Sequence, residues 1–328
     1  MDKLQETAKL DQKNKKILIE LEKDARQSNK QIAKKVGVNT DLVRYRINKL
    51  QEDGVIGWFL TFVNFARIGY TDYGIYITTQ KLTKEKEKEF TDYFLNHKRI
   101  SYLAKLGGKC DFVIGILASD ILDFQDVLSG IMDKYGNYIS NRDIAIRLHL
   151  FHFSKAYLLN KKESAGQMPH FGGKVQVEKI DKLDQQILSE LATNARINVV
   201  DLAQKIKTPA STITLRIKKL KERNIIEGFF TVIRCQSYNY QNYLIHASLK
   251  NLTKQNENKF YGFCKQHPNI TYLIKTVGKW DYEISVEVPD QQKFQEVLTE
   301  LREQFSEIIL NMESVILFKD LKYNLYPF

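Results

Sequence analysis

The chain has 328 residues, 43% hydrophobic and 27% charged, which is an ordinary globular composition and long enough for two or more domains. A formal net charge of +11 favours a polyanionic partner. No apolar run approaches the roughly 18 residues a membrane span needs, the opening MDKLQETAKLDQKNKK lacks the apolar core of a secretory signal, and three scattered cysteines (Cys110, Cys235, Cys264) argue against a disulfide framework or zinc site, so a cytoplasmic protein without metal or cofactor is expected.

In chain order, residues 10–53 carry helical spacing. Ile17, Leu18, Leu21 and Ala25 form one apolar stripe. Ile32, Ala33 and Val36 form a second behind a Ser28-x-x-Gln31 capping box, and Leu42, Val43, Ile47 and Leu50 form a third. Three short helices, the last two joined through Gly37, predict a helix-turn-helix. Val55 to Val63 favours a strand, as a wing or connector. A β-rich run at 73–80 follows, then a helix from Thr83 with Phe90 and Phe94 inward. Strands are expected at 100–107 and 110–118, then a helix carrying Phe124, Val127, Leu128 and Ile131, then a strand at 139–151. The order βαββαβ predicts a ferredoxin-like sandwich.

The stretch NKKESAGQMPHFGGKVQVEK, from Asn160 to Lys179, lacks periodicity and reads as a linker. Beyond it the pattern begins again. A shift of 170 aligns Ile17-Leu18 with Ile187-Leu188, Ala25-Arg26 with Ala195-Arg196 and Arg46-Ile47 with Arg216-Ile217. Without a gap it also aligns Leu82-Thr83-Lys84 with Leu252-Thr253-Lys254, Gly108-Lys109 with Gly278-Lys279 and Asp111 with Asp281. The chain is therefore a duplicated two-domain unit. The expected fold is α+β: two copies of a winged helix-turn-helix plus a βαββαβ domain. The domains are residues 8–58 and 70–158, a linker at 159–180, then 181–228 and 240–328.

Leu10-Asp11 and Leu183-Asp184, Arg46-Ile-x-x-Leu50 and Arg216-Ile-x-x-Leu220, Gly54-Val-Ile-x-x-Phe59, Ile68-Gly-Tyr70, Gly108-Lys-Cys-Asp-Phe112 and Gly278-Lys-Trp-Asp-Tyr282 stand in order. Together they resemble the Lrp/AsnC (leucine-responsive, feast-famine) transcription regulators over nearly the whole chain, twice. Three glycines of the first copy depart in the second: Gly37 becomes Lys207, Gly54 becomes Asn224 and Gly69 becomes Asn239. The resemblance implies a regulator of double-stranded DNA and face-to-face packing of two effector sheets, here as an intramolecular pseudo-dimer with further homo-oligomerisation. It also implies an amino-acid effector at the glycine turns, placing Gly107, Gly108, Lys109, Asp111, Gly278, Lys279 and Asp281 in an effector site. The free sheet face is expected to carry Tyr76, Leu103, Val113 and Leu117 in the first copy and His246, Lys275, Glu283 and Glu287 in the second.

The second helix of a helix-turn-helix meets base edges in the major groove. With the apolar stripe inward, the first module offers Asn39, Thr40, Asp41, Arg44, Tyr45, Arg46, Asn48 and Lys49 to DNA. The second offers Pro209, Ser211, Thr212, Thr214, Arg216, Lys218 and Lys219. Arg44 suits guanine and Asp41 suits cytosine. Residues 39–53 balance three cations against three acids, whereas 209–223 hold five cations against Glu222 alone. The second module is thus expected to supply more phosphate affinity and the first more base discrimination, on an asymmetric site with half-sites about one or more 10-base-pair turns apart.

No clustered carboxylates, Ser-His pair or phosphate-binding glycine loop points to an enzyme. One rival is siroheme decarboxylase, which this chain resembles in its two-part outline. That resemblance implies a His-Asn-Tyr-type motif where Ile100-Ser-Tyr-Leu-Ala104 and Ile270-Thr-Tyr-Leu-Ile274 stand without histidine. A second rival is a sequence-neutral architectural DNA-binding protein.

Overall fold

The computed structural model describes residues 7–159 and 169–328. The apolar stripes become helices whose ends are set by their caps. Asp11 caps α1 (Gln12–Lys23) by accepting from the Asn14 amide, and Ser28 and Gln31 close the expected capping box on α2 (Asn29–Val36). Asn39 caps α3 (Thr40–Glu52), and β1 (Ile56–Val63) follows. The sandwich of the first unit is β2 (Thr71–Thr79), α4 (Lys84–Asn96), β3 (Ile100–Gly107), β4 (Phe112–Ala118), α5 (Ile121–Tyr135) and β5 (Ile139–His152).

The second unit repeats this order. Its helix-turn-helix is α6 (Lys182–Thr193), α7 (Val199–Ile206), α8 (Ala210–Glu222) and β7 (Ile226–Ile233). Its sandwich is β8 (Gln241–Leu249), α9 (Lys254–Gln266), β9 (Ile270–Gly278), β10 (Tyr282–Val288), α10 (Gln291–Gln304) and β11 (Ile309–Tyr323).

Between the units, residues 160–168 of the expected linker lie outside the described residues. The remainder is not a free linker. His170–Gly172 forms β6 against β5, with Phe171 opposite Leu150. Phe171 is 1% exposed, and its ring lies 4.3 Å from that of Phe65. The Gln176 and Glu178 amides then donate to the Ala66 and Arg67 carbonyls. Glycine here permits close backbone approach rather than looseness: at Gly172 (φ +104°) a Cβ would meet the Leu148 carbonyl oxygen at 1.9 Å.

The expected face-to-face packing of two sheets is extended by pairing at both edges. β5 of the first unit pairs with β9 of the second, and β11 of the second pairs with β3 of the first. With β2 paired to both β4 and β5, eight antiparallel strands close in the order β2-β4-β3-β11-β8-β10-β9-β5. The helices cover the outside: Phe90, Phe94, Phe124 and Ile131 pack on one half, and Phe260, Phe294, Val297 and Leu301 on the other. Closure removes the free sheet edges that would otherwise invite further pairing.

The inner face corrects part of the sequence reading. Tyr76 and Val113 do point inward, but Leu103 packs outward with Phe90 and Phe94. Lys275 also points outward, where its ammonium meets Glu257 of α9. Irregular register earlier in each strand, between Ile100 and Tyr102 and between Ile270 and Tyr272, breaks simple counting by two. His246, Glu283 and Glu287 are buried inside, so the polar face of the second copy is enclosed. His246 stacks on Trp280 at 3.8 Å, and burial lowers its pKa to about 4. Arg147 of the first unit reaches Glu283 at 2.9 Å and Asp72 at 3.3 Å, and Lys155 pairs with Glu287.

The helix-turn-helix modules share one apolar core. β1 pairs with β7 in an antiparallel ribbon, α1 packs on β7 and α6 on β1. Thr61 donates to the Leu191 carbonyl and Thr231 to the Leu21 carbonyl, the same bond related by the repeat. The three glycine departures keep their backbone: Lys207, Asn224 and Asn239 hold φ of 58°, 53° and 63° where Gly37, Gly54 and Gly69 hold 75°, 71° and 90°. Asparagine tolerates this left-handed region, but lysine does so at a steric cost. Lys207→Gly is therefore expected to stabilise the chain by about 0.5–1 kcal/mol, read from the midpoint of urea unfolding at unchanged slope.

Candidate nucleic-acid interface

Each candidate reading helix is aimed by the two helices beneath it. In α3, Val43, Ile47 and Leu50 are buried, and in α8, Ile213, Ile217 and Leu220. Leu42, assigned inward from its spacing, is only half-buried. The opposite faces are open: Tyr45 is 65% exposed and Leu215, its counterpart in the repeat, 51%. Thr40, Asp41, Arg44, Asn48 and Lys49 are exposed on α3, and Ser211, Thr214, Lys218 and Lys219 on α8. Asn39 turns its side-chain oxygen to the Leu42 amide, 2.7 Å away, so its role is to start α3. Pro209 starts α8 without a side-chain cap, Thr212 is half-buried, and the Thr214 hydroxyl donates to the Ala210 carbonyl.

Two expected contacts are instead scaffold. Arg46 reaches back to Asp11 and Asn14 of α1, both at 2.7 Å. Arg216 repeats this with Asp181 at 2.6 Å and Asp184 at 3.2 Å. The side chains are long enough to fold under the helix rather than project from it, a direction that spacing alone does not fix. Arg223, counted above among the basic excess, is likewise held by Glu178 at 3.1 Å and by the Lys179 carbonyl.

The remaining charges divide unequally. On α3, Arg44 pairs with Asp41, and Lys49 lies 2.8 Å from Asp53. On α8, Lys218 is 72% exposed with Glu222 at 3.7 Å, and Lys219 has no ion pair among the described residues. Lys221 lies over the Phe229 ring at 5.4 Å. The sequence reading counted Lys221 only in the basic excess and left Leu215 out of the exposed face. Leu215 was left out because an apolar residue in a helix is assumed to be core, and only the stripe beside it shows otherwise.

The spacing of the two helices is fixed by exchanged arginines. Arg26 donates to the Ala195 and Ile197 carbonyls, and Arg196 to those of Ala25 and Gln27. Arg196 also reaches Asn29 at 2.9 Å, tying α2 to the second module.

The glycine turns are occupied by the fold itself. The Asp111 carboxylate accepts from the amide and hydroxyl of Thr79, and that of Asp281 from the Leu249 amide. Lys109 pairs with Glu313 at 2.6 Å and Lys279 with Asp143 at 2.7 Å, both across the two units. Gly107 lies beneath Phe318, while Gly108 (φ +103°) and Gly278 (φ +147°) take backbone conformations suited to glycine.

Arg46→Ala is expected to lower folding stability by about 1 kcal/mol, because it removes charged hydrogen bonds that water partly replaces. Arg44→Ala should stay within about 0.5 kcal/mol of the parent. Urea unfolding of both variants checks the contrast.

Residues 10–56 match the winged helix-turn-helix DNA-binding family, and residues 180–221 match the AsnC-type helix-turn-helix domain. An uncharacterized helix-turn-helix-type transcriptional regulator of Pyrococcus horikoshii is 46% identical over 52 residues, 16% of this chain and 35% of that protein. A similar regulator of Pyrococcus abyssi is 28% identical over 139 residues, 42% of this chain and 93% of its own length. The chain thus spans about a third of the length of the first of these relatives. The crystal structure of the siroheme decarboxylase NirDL has the same tandem fold, with a TM-score of 0.61 at 12% identity over 95% of this chain and 93% of that one. The chain is thus a tandem of two α+β units, each opening on a helix-turn-helix domain, the second of which matches the AsnC type.

Proposed function

We propose that the chain is a sequence-specific regulator that binds double-stranded DNA through α3 and α8 together. The observation that carries this reading is the exposed polar face on both helices, each backed by a fully buried stripe and held at a set separation by the β1–β7 ribbon. Two helix-turn-helix matches and a net charge of +11 agree with it. Because TDLVRYR in one helix is replaced by ASTITLR in the other, the site read is asymmetric. Arg44, Asn48 and Tyr45 face bases in the first half-site. Ser211, Thr214 and Leu215 do so in the second, Leu215 against a thymine methyl. An amino-acid effector at the two glycine turns is compatible with this regulator, but it must work from backbone amides, since Lys109, Lys279, Asp111 and Asp281 already have partners.

The enzymatic reading rests on the shared fold with siroheme decarboxylase. Against transferring that activity stand Ile100–Ala104 and Ile270–Ile274, which carry no histidine where the resemblance to the decarboxylase implies one. A shift in tetrapyrrole absorbance on titration with the protein would favour the enzyme.

Selection of bound sequences from a random DNA pool tests the main reading. It is expected to return one non-palindromic site, bound far more tightly than random DNA at physiological salt. No enrichment would overturn the main reading and leave the architectural and enzymatic readings. On the selected site, neutralising Lys218 and Lys219 together is expected to reduce the slope of log K against log salt by up to about 2, at roughly 0.9 per phosphate contact. Neutralising Arg44 and Lys49 should change it less, since Arg44 already pairs with Asp41 and Lys49 with Asp53.

A further inference from the structure

Inside the barrel, at the end facing the β1–β7 ribbon, lies a cavity of about 110 Å³ whose wall includes Thr231, Val232 and Ile233 of β7. Its ionisable acids and bases do not balance. Asp72, Glu283, Glu287 and Asp320 line it against Arg147 and Lys155. Arg147 serves Asp72 and Glu283, and Lys155 serves Glu287. Asp320 accepts only the Tyr102 hydroxyl, at 2.7 Å, among the described residues. Asp72 is 4% exposed, and its Oδ1 is buried with no hydrogen-bond partner among the described residues. Two further cations act on Asp320: Arg234, which lies outside the lining with its guanidinium over the Trp58 ring, and Lys155, which is paired with Glu287. Burial raises both Asp72 and Asp320 above the ordinary carboxylate range, as expected of charges without full compensation.

Around these acids stand aromatic rings. Tyr76, Tyr102, Tyr272 and Tyr323 all line the cavity. Aromatic walls with buried carboxylates are the chemistry that receives an ammonium or guanidinium group, through ring faces and charged hydrogen bonds. The volume is somewhat below the roughly 150 Å³ that accommodates benzene, so it suits about half a dozen heavy atoms. A metal is disfavoured, because no group of three or more metal-ligating side chains forms among the described residues. The repeat sharpens the point. Positions equivalent to Asp72, Asp320, Glu283 and Glu287 hold Asn242, Leu150, Val113 and Leu117, so each acid occurs in one copy alone.

We propose that this cavity is a binding site for a small organic cation, an amine or guanidine of about six heavy atoms, held between Asp72 and Asp320 and enclosed by the tyrosine rings. The site is independent of the DNA-reading helices. Since β7 forms part of its wall, its occupant touches the scaffold that carries α8.

Calorimetry on the full chain without DNA tests this, with putrescine and methylguanidine as probes. The controls are 1,4-butanediol, a neutral match in shape, and succinate, an anionic one, all at constant ionic strength. At least one of the two cations is expected to bind saturably, with no heat from either control. Asp72→Asn, which places the residue found at the equivalent Asn242, and Asp320→Asn should each weaken binding at least tenfold. Thermal unfolding of the unliganded variants checks that the fold survives. If Asp72→Asn does not fold, Asp320→Asn decides alone. Silence from both cations, equal affinity in the folded variants, or binding of succinate overturns the proposal. None of these results bears on whether a DNA site is selected.

Discussion

Three antiparallel seams between the two halves of the chain determine everything else in the molecule. β1 pairs with β7, β3 with β11 and β5 with β9. None of the three can form within one half. A single half would expose the free edges of a four-stranded sheet and an unpaired β1, together with the apolar residues that pack on them. Covalent linkage makes the seams intramolecular, so their formation does not depend on protein concentration. They also set the function proposed above, because α3 and α8 rise from the shared β1–β7 core and cannot move apart without opening it.

The seams obey the repeat closely, and this separates scaffold from specialised parts. Arg26 and Arg196, Thr61 and Thr231, Lys109 and Lys279 each make one bond twice, 170 residues apart. Arg46 and Arg216 do the same beneath the reading helices. Where the repeat fails, the copies have diverged in chemistry. One such place is the exposed face of the reading helices, the other the barrel interior. The first divergence is what the asymmetric site proposed above rests on. The second puts unlike side chains opposite each other across the pseudo-twofold axis.

Much of this was legible in the sequence. The 3.6-residue stripes located the three helices of the first helix-turn-helix module, the 170-residue repeat carried them to the second, and the Ser28 capping box stands where spacing put it. Along β10 the sequence alternates Tyr282, Ile284, Val286 and Val288 with Glu283, Ser285 and Glu287. What that alternation could not show was that the polar side is enclosed, because its partners, Arg147 and Lys155, lie more than 130 residues away. Strand irregularities moved Leu103 and Lys275 to the outer face. At the candidate interface, residue type and helix face were legible, whereas the inward fold of Arg46, Arg216 and Arg223 was not. A long cation at the margin of a helix face is drawn by whichever carboxylate is nearest in space.

The buried charges also explain how the halves choose each other. Two copies of the second half, paired in this way, would bring two sets of Glu283 and Glu287 into one interior without Arg147 or Lys155, since Leu317 and Leu325 hold the equivalent positions. An uncompensated buried charge costs about 3–5 kcal/mol when its partner is removed, so that pairing is opposed at several sites at once. Two copies of the first half would bury Lys155 twice without Glu287 and leave each Arg147 with Asp72 alone. Only the unlike pairing gives each of these glutamates a cation, and it is the pairing that the single chain makes available. The ion pairs thus favour the native register and partner by penalising the like pairings. The same asymmetry leaves Asp72 and Asp320 as surplus acids, which a protein using these charges for partner choice alone would have no reason to keep inside.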